Sequence, residues 1–284
     1  MIVSKVVFEK RGAVAYIRLN RPEAKNAIDL ETNDLLRDAW REFGRDQELR
    51  VAILTGTGDA FCAGADLKTH VPVWSDAGPM LARSKLGDGF AGGITRGQHR
   101  IYKPIVAALN GWVIGGGLEL ALACDIRVAS ERAQFGSFEV RRGMHPADGG
   151  IVRLVNTCGV GIALEIMLTG EPIDARRALA ANLVSRVVPH DDLMDVTEDL
   201  VAKILRNDRQ AVESAKETIF EVIGRPLDDQ LRTEALLGYA ICGDNPAISE
   251  RSDSFFRRQD AGRAGTTPTT LPGGAAGNGT ASIG

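Results

Sequence analysis

Two spacings of apolar residues alternate along the first part of the chain. Val14 to Leu19 is a short apolar run closed by Asn20, Arg21 and Pro22, and it predicts a strand. Leu35, Leu36, Ala39, Trp40 and Phe43 recur at helical spacing and predict a helix over 28–43. Val51 to Leu54 is a buried-strand pattern ended by the Gly56-Thr57-Gly58 turn. Pro104 to Leu109, Asp125 to Ala129 and Val184 to Val188 repeat that pattern. Beyond Asp191 only helical spacing remains, over 193–205, 210–223 and 227–239. Strands alternating with helices predict an α/β fold. The expected organisation is a core over 1–190, a helical region over 191–260 and a Gly/Thr/Ala-rich tail over 261–284. That last composition buries too little apolar surface to offset its ordering entropy, so disorder is expected there.

Composition narrows the partners. The 284 residues carry 34 Lys and Arg against 37 Asp and Glu, a net charge of −3. That balance argues against nucleic acid and a polybasic membrane patch. No apolar run reaches the roughly 18–20 residues expected of a membrane span. The start mixes Lys5, Glu9 and Lys10 into its apolar residues, unlike a secretory signal. Cys62, Cys124, Cys158 and Cys242 are far apart and form no C-x-x-C pair, which fits a reducing cytoplasm and no metal. His70, His99, His145 and His190 also lack metal-ligand spacing.

Three segments carry candidate chemistry. In Trp112 to Asp125, Gly115-Gly116-Gly117 lead from a strand pattern into an apolar helix pattern. Unpaired N–H groups at such a helix start suit an anion or a developing oxyanion. The spacing is neither G-x-G-x-x-G nor a P-loop, so nicotinamide and ATP sites are set aside. Glu119 stands inside this apolar run, where burial raises a carboxyl's pKa and suits it to proton transfer. Phe61 to Lys68 is rich in small residues that allow close backbone approach. Ala133 to Glu139 precedes a glycine turn at Gly149-Gly150. Each also reads as an ordinary feature: a tight turn, a helix capped by Asp66, or carboxylates on a solvated surface.

Taken in order, these segments resemble the enoyl-CoA hydratase/isomerase, or crotonase, family. Asn20-Arg21-Pro22, Ala24-Lys25-Asn26-Ala27, Phe61 to Asp66 and Pro104 to Ala108 belong to the ordered set. Asn110 to Glu119, Asp125 to Ala129, Gln134-Phe135-Gly136 and Thr169 to Ala175 continue it. The resemblance implies a spiral of ββα units with a C-terminal helical region used for assembly as a trimer or a dimer of trimers. It implies an acyl-CoA substrate, with coenzyme A as part of that substrate and no further cofactor. Ala65 and Gly116 match the two backbone donors to the thioester oxygen. Lys25, Ala63, Leu67 and Lys68 match the border of the CoA site. Glu119 and Glu139 match the two glutamates of the hydratases, so the implied reaction is syn addition of water to a trans-2-enoyl-CoA. A Δ3–Δ2 isomerase, a CoA-thioester hydrolase and a non-catalytic acyl-CoA-binding subunit are the alternatives.

The chain departs from the family pattern near Glu139. Phe138 stands where proline is common, Arg141 and Arg142 where apolar residues are usual, and His145 where an aliphatic residue is typical. His145 and the arginines point to a polar acyl group or an acidic partner, or else to solvated loop charges.

Overall fold

Strands β1 (Val6–Arg11) and β2 (Val14–Leu19) form an antiparallel pair, followed by helix α1 (Leu30–Arg45). Asp29 caps α1 by accepting from the Thr32 N–H at 2.7 Å, which sets its start two residues after the predicted one. The chain then makes the same unit three times: two strands and a helix. The first is β3 (Val51–Gly56), β4 (Ala60–Cys62) and α2 (Leu67–Ser75). The second is β5 (Ile105–Leu109), β6 (Trp112–Ile114) and α3 (Gly116–Ala123). The third is β7 (Ile126–Ser130), β8 (Gln134–Gly136), a 3-10 turn and α4 (Gly150–Thr169). This is the ββα spiral expected from the family resemblance. The computed structural model describes residues 4–76, 78, 89–97 and 100–264.

Each unit gives one strand to each of two sheets. The larger sheet runs β1-β2-β3-β5-β7-β10, where β10 is Arg186–Val188. The smaller runs β4-β6-β8-β9, where β9 is Ile173–Asp174. β4, β6 and β8 are parallel neighbours, so their C-terminal ends open side by side. In such sheets ligands bind beyond the carboxyl ends of the strands.

Burial explains the sequence pattern. Val51, Ala52, Ile53 and Leu54 are all buried, because β3 is covered on both faces. Leu54 belongs to the same core cluster as Leu36, Trp40, Phe43 and Phe135, while Val51 and Ile53 belong to a second one with Leu193 and Val201. Those last two lie on α6 (Leu193–Leu205), after the short helix α5 (Ala175–Ala180).

The helical block also contains α7 (Arg209–Val222), α8 (Leu227–Asp244) and α9 (Ala247–Ala264). By contact density the chain divides into compact units 1–238 and 239–284 rather than at residue 190. The reason is that α6 buries Leu193 and Val201 against the large sheet and belongs with it. The first four residues of the expected tail, 261–264, are the end of α9. The remainder of that tail lies outside the described residues.

Helix α4 corrects one expectation. It is 20 residues long with a mean hydropathy of 1.7, long and apolar enough by composition to cross a membrane. Within the fold it kinks at Gly159 and buries Leu154, Ala163, Ile166 and Met167 in the core. Val160, Leu164 and Leu168 remain exposed at i, i+4 and i+8, a single apolar stripe.

Candidate active site

The small sheet places the site. Ala65 follows β4, Gly116 opens α3 directly after β6, and Glu139 opens the 3-10 turn after β8. Ala65 pairs with Ile28 in an isolated parallel bridge. That bridge uses the Gly64 carbonyl, which accepts from the Ile28 N–H at 2.8 Å, and the Asp66 N–H, which donates to the Ile28 carbonyl at 2.9 Å. In a parallel bridge the residue between those two faces its own N–H the other way. Among the described residues neither the Ala65 N–H nor the Gly116 N–H donates to a protein acceptor. The Gly116 amide is free because the first N–H groups of a helix have no partner within it.

Gly64 brings these two amides together. Its φ is +88°, and a Cβ there would lie 2.8 Å from the Gly116 nitrogen and 2.9 Å from the Ile114 carbonyl oxygen. Only glycine meets both conditions. Ala65 and Gly116 line one cavity of about 1160 Å³, together with Lys25, Ala63, Leu67, Glu119 and Glu139. Its apolar lining includes Phe90, Ile114, Phe138 and Met144.

Glu119 reaches the cavity from α3. Its neighbours Leu118, Leu120, Ala121 and Leu122 are all buried, and Glu119 itself is 5% exposed. Side chains on a helix tilt toward its N-terminus, so Glu119 leans back over the turn that begins at Gly116. A buried carboxylate needs donors. Its Oε1 accepts the Asp148 N–H at 2.7 Å and the Gly150 N–H at 3.0 Å. Burial still dominates and pushes its pKa up to about 7. The two N–H donors oppose that rise, and the charges of Asp148 and Glu139 add to it.

Glu139 is half-buried, and its Oε2 accepts the Ser137 hydroxyl at 2.7 Å. Phe138, in place of the usual proline, leaves Glu139 in the cavity wall. The Asp148 carboxylate is held by Arg96, whose Nε donates to Oδ1 at 3.0 Å. Arg96 also donates to the Ala147 carbonyl at 2.8 Å, fixing the loop whose amides hold Glu119.

Two expected CoA contacts differ from the rest. Lys68 is exposed and is not among the cavity-lining residues. Leu67 and Lys68 open a helix, where successive side chains point about 100° apart, and of the two only Leu67 lines the cavity. Lys25 does line the cavity, with its Nζ 2.9 Å from Asp59. Of the departures near Glu139, Arg142 and His145 line the cavity, while Arg141 pairs with Glu171.

The enoyl-CoA hydratase/isomerase family model matches residues 9–245. This chain belongs to that family. A (E)-benzylidenesuccinyl-CoA hydratase of Thauera aromatica is 36% identical over 88% of this chain and 94% of its own length. A mevalonyl-coenzyme A hydratase of Aspergillus fumigatus is 40% identical over 72% of this chain and 73% of its own. Among solved structures, an enoyl-CoA hydratase from Bacillus anthracis superposes with a TM-score of 0.80. It is 32% identical and matches 90% of this chain and 97% of that one. The family resemblance read from the ordered motifs therefore holds, and so does the crotonase fold.

Sequence reading missed the groups that hold the two carboxylates. The Asp148 and Gly150 amides reach Glu119 across about 30 residues, and their signal was the Gly149-Gly150 turn. Ser137 lay within the noted Ala133–Glu139 segment, where nothing singled it out.

Proposed function

We propose that this protein is an enoyl-CoA hydratase. The observation that carries the reading is that Glu119, Glu139 and the two unpaired amides of Ala65 and Gly116 line the same cavity. The substrate is a trans-2-enoyl-CoA, with its thioester oxygen between the two N–H groups. CoA runs past Lys25, Ala63 and Leu67.

A water held between the Glu119 carboxylate and the Glu139 carboxylic acid attacks Cβ as Glu119 takes one of its protons. The π electrons of the double bond shift through Cα to the thioester oxygen. That enolate oxygen accepts the two preorganised N–H bonds, which strengthen as its charge grows. Glu139 then protonates Cα, giving a 3-hydroxyacyl-CoA, and a proton passes from Glu119 to Glu139 to reset the pair. A base whose pKa lies near the working pH combines availability with proton affinity, and Glu119 at about 7 meets that condition. These steps use no metal or redox group. The acyl groups named for the relatives, benzylidenesuccinyl and mevalonyl, differ from each other. Membership of the family therefore does not choose the chain.

The test is loss of enone-thioester absorbance over a panel of trans-2-enoyl-CoAs, for the wild type, Glu119→Gln and Glu139→Gln. Hydration that needs both glutamates supports the reading. Turnover that needs only Glu139 supports double-bond isomerisation instead, because moving one proton between Cα and Cγ needs one carboxylate.

The reading extends to assembly. The exposed Val160, Leu164 and Leu168 stripe on α4 suits a second copy of this chain in a trimer or a dimer of trimers. Light scattering of the purified protein checks this, and a monomer at micromolar concentration removes it. The free thiols of Cys62 and Cys124, both buried, suit a reducing cytoplasm.

A further inference from the structure

A second charge meets the cavity one turn after Glu139. Glu139 and Arg142 are the first and last residues of the 3-10 turn Glu139–Arg142. In a 3-10 turn side chains at i and i+3 eclipse, here about 6 Å apart along the axis. Both residues line the cavity.

Arg142 differs from the other cations there. Lys25 is paired with Asp59, Arg37 with Asp34 and Arg96 with Asp148. Among the described residues Arg142 has no ion pair, and its one hydrogen bond runs from Nη1 to the Phe138 carbonyl at 3.2 Å. A guanidinium presents five N–H donors in a planar fork that matches a carboxylate. The cavity's own acids are occupied elsewhere. Glu119 takes two backbone amides, Glu139 takes Ser137, and Asp148 takes Arg96. The cavity wall thus carries an exposed cation without a protein counter-ion, one 3-10 turn from Glu139.

We propose that the acyl group of the substrate carries a second, ionised carboxylate, and that Arg142 binds it. The inference rests on the hydratase reading above. The single-turn offset from Glu139 places that carboxylate a few carbons beyond the reacting double bond rather than at the end of a long chain. A CoA phosphate is the other anion within the same molecule, and the test separates the two.

The experiment compares pairs of trans-2-enoyl-CoAs of equal chain length, one ending in a carboxylate and the other in a methyl group. The wild type is expected to favour the acid in kcat/KM by about 10-fold or more, most strongly at short spacings. Arg142→Leu is expected to lower that acid-to-methyl ratio by about 10- to 100-fold, the range of a charge-assisted hydrogen bond. Arg142→Lys keeps part of it. A wild-type ratio near one overturns the proposal, as does an equal loss for both members of each pair. Calorimetry with the matching saturated acyl-CoAs and with free CoA gives a second readout. Tighter binding of the acid that depends on Arg142 supports the proposal even if no enoyl-CoA is hydrated, in which case the hydratase reading alone has failed. Equal weakening of free CoA by Arg142→Leu assigns Arg142 to a phosphate and overturns the proposal.

Discussion

Glu119 and Glu139 face one cavity from two kinds of support. Glu119 stands on helix α3, buried and held by the backbone amides of Asp148 and Gly150. Glu139 stands on one 3-10 turn, half-buried, held by a serine hydroxyl and eclipsed with Arg142. The first support buries the carboxyl, which pushes its pKa up to about 7. The second leaves its carboxylate nearer to water and to a neighbouring positive charge. Two identical side chains thus differ in what their surroundings do: burial raises the proton affinity of the first, and the second stays nearer to solvent.

The largest effects are expected in turnover. Glu119→Gln and Glu139→Gln should each lower kcat by about 10²- to 10⁴-fold, the usual range for general acid–base groups. Single-turnover loss of enone absorbance checks this. A fall in Glu139→Gln alone breaks the symmetry of the pair and moves the chemistry toward isomerisation.

Stability separates the two carboxylates next. The pKa of Glu119 is raised from 4.5 to about 7 on folding. Between those values the folded state binds more protons than the unfolded state, so stability falls as pH rises through that window. Above pH 7 the full penalty applies, about 3 kcal/mol by order of magnitude at 1.36 kcal/mol per pKa unit. Glu119→Gln has no charge to bury and can keep an oxygen for the Asp148 and Gly150 amides. It should therefore be more stable than wild type at pH 8, by up to that amount, and should converge with it near pH 4.5. Glu139→Gln retains Glu119 and should retain the pH-dependent loss. Urea melts of the three proteins at pH 4.5, 6 and 8 test this. A Glu119→Gln variant less stable than wild type at pH 8 would mean that its amide donors prefer a charged acceptor more than burial disfavours one.

Much of this was legible along the chain, for physical reasons that differ by residue. The Val51–Leu54 run reads as a strand because a parallel strand covered on both faces shows as unbroken apolar sequence. Gly64 and Gly116 stand out because close backbone approach demands small residues, and that demand is local. Helix α4 escaped because Gly159 breaks its helical backbone and its apolar residues serve both the core and an exposed stripe. The family motif places Lys68 at the CoA border together with Leu67, and the geometry of a helix start separates the two, with Leu67 alone in the cavity wall. The supports of Glu119 are tertiary contacts, and no spacing rule joins residue 119 to residues 148 and 150.

The smallest effect sharpens the comparison most. If Glu119 acts as the base, kcat/KM should fall about tenfold per pH unit below pH 7, as protonation removes the free-enzyme base. The charge of Glu139 contributes to the high pKa of Glu119, after burial and the charge of Asp148. Replacing Glu139 by Gln removes one negative charge from beside Glu119 and lowers its pKa, so the acid limb should move to lower pH. The displacement should be small, because burial is the largest cause and remains. Residual activity of Glu139→Gln as a function of pH reads it directly. Carbon-13 NMR titration of the Glu119 carboxyl reads the same shift if turnover is too slow. A limb that stays in place would mean that the two carboxylates act on the substrate without sensing each other, and the proton return from Glu119 to Glu139 would then have to run through solvent.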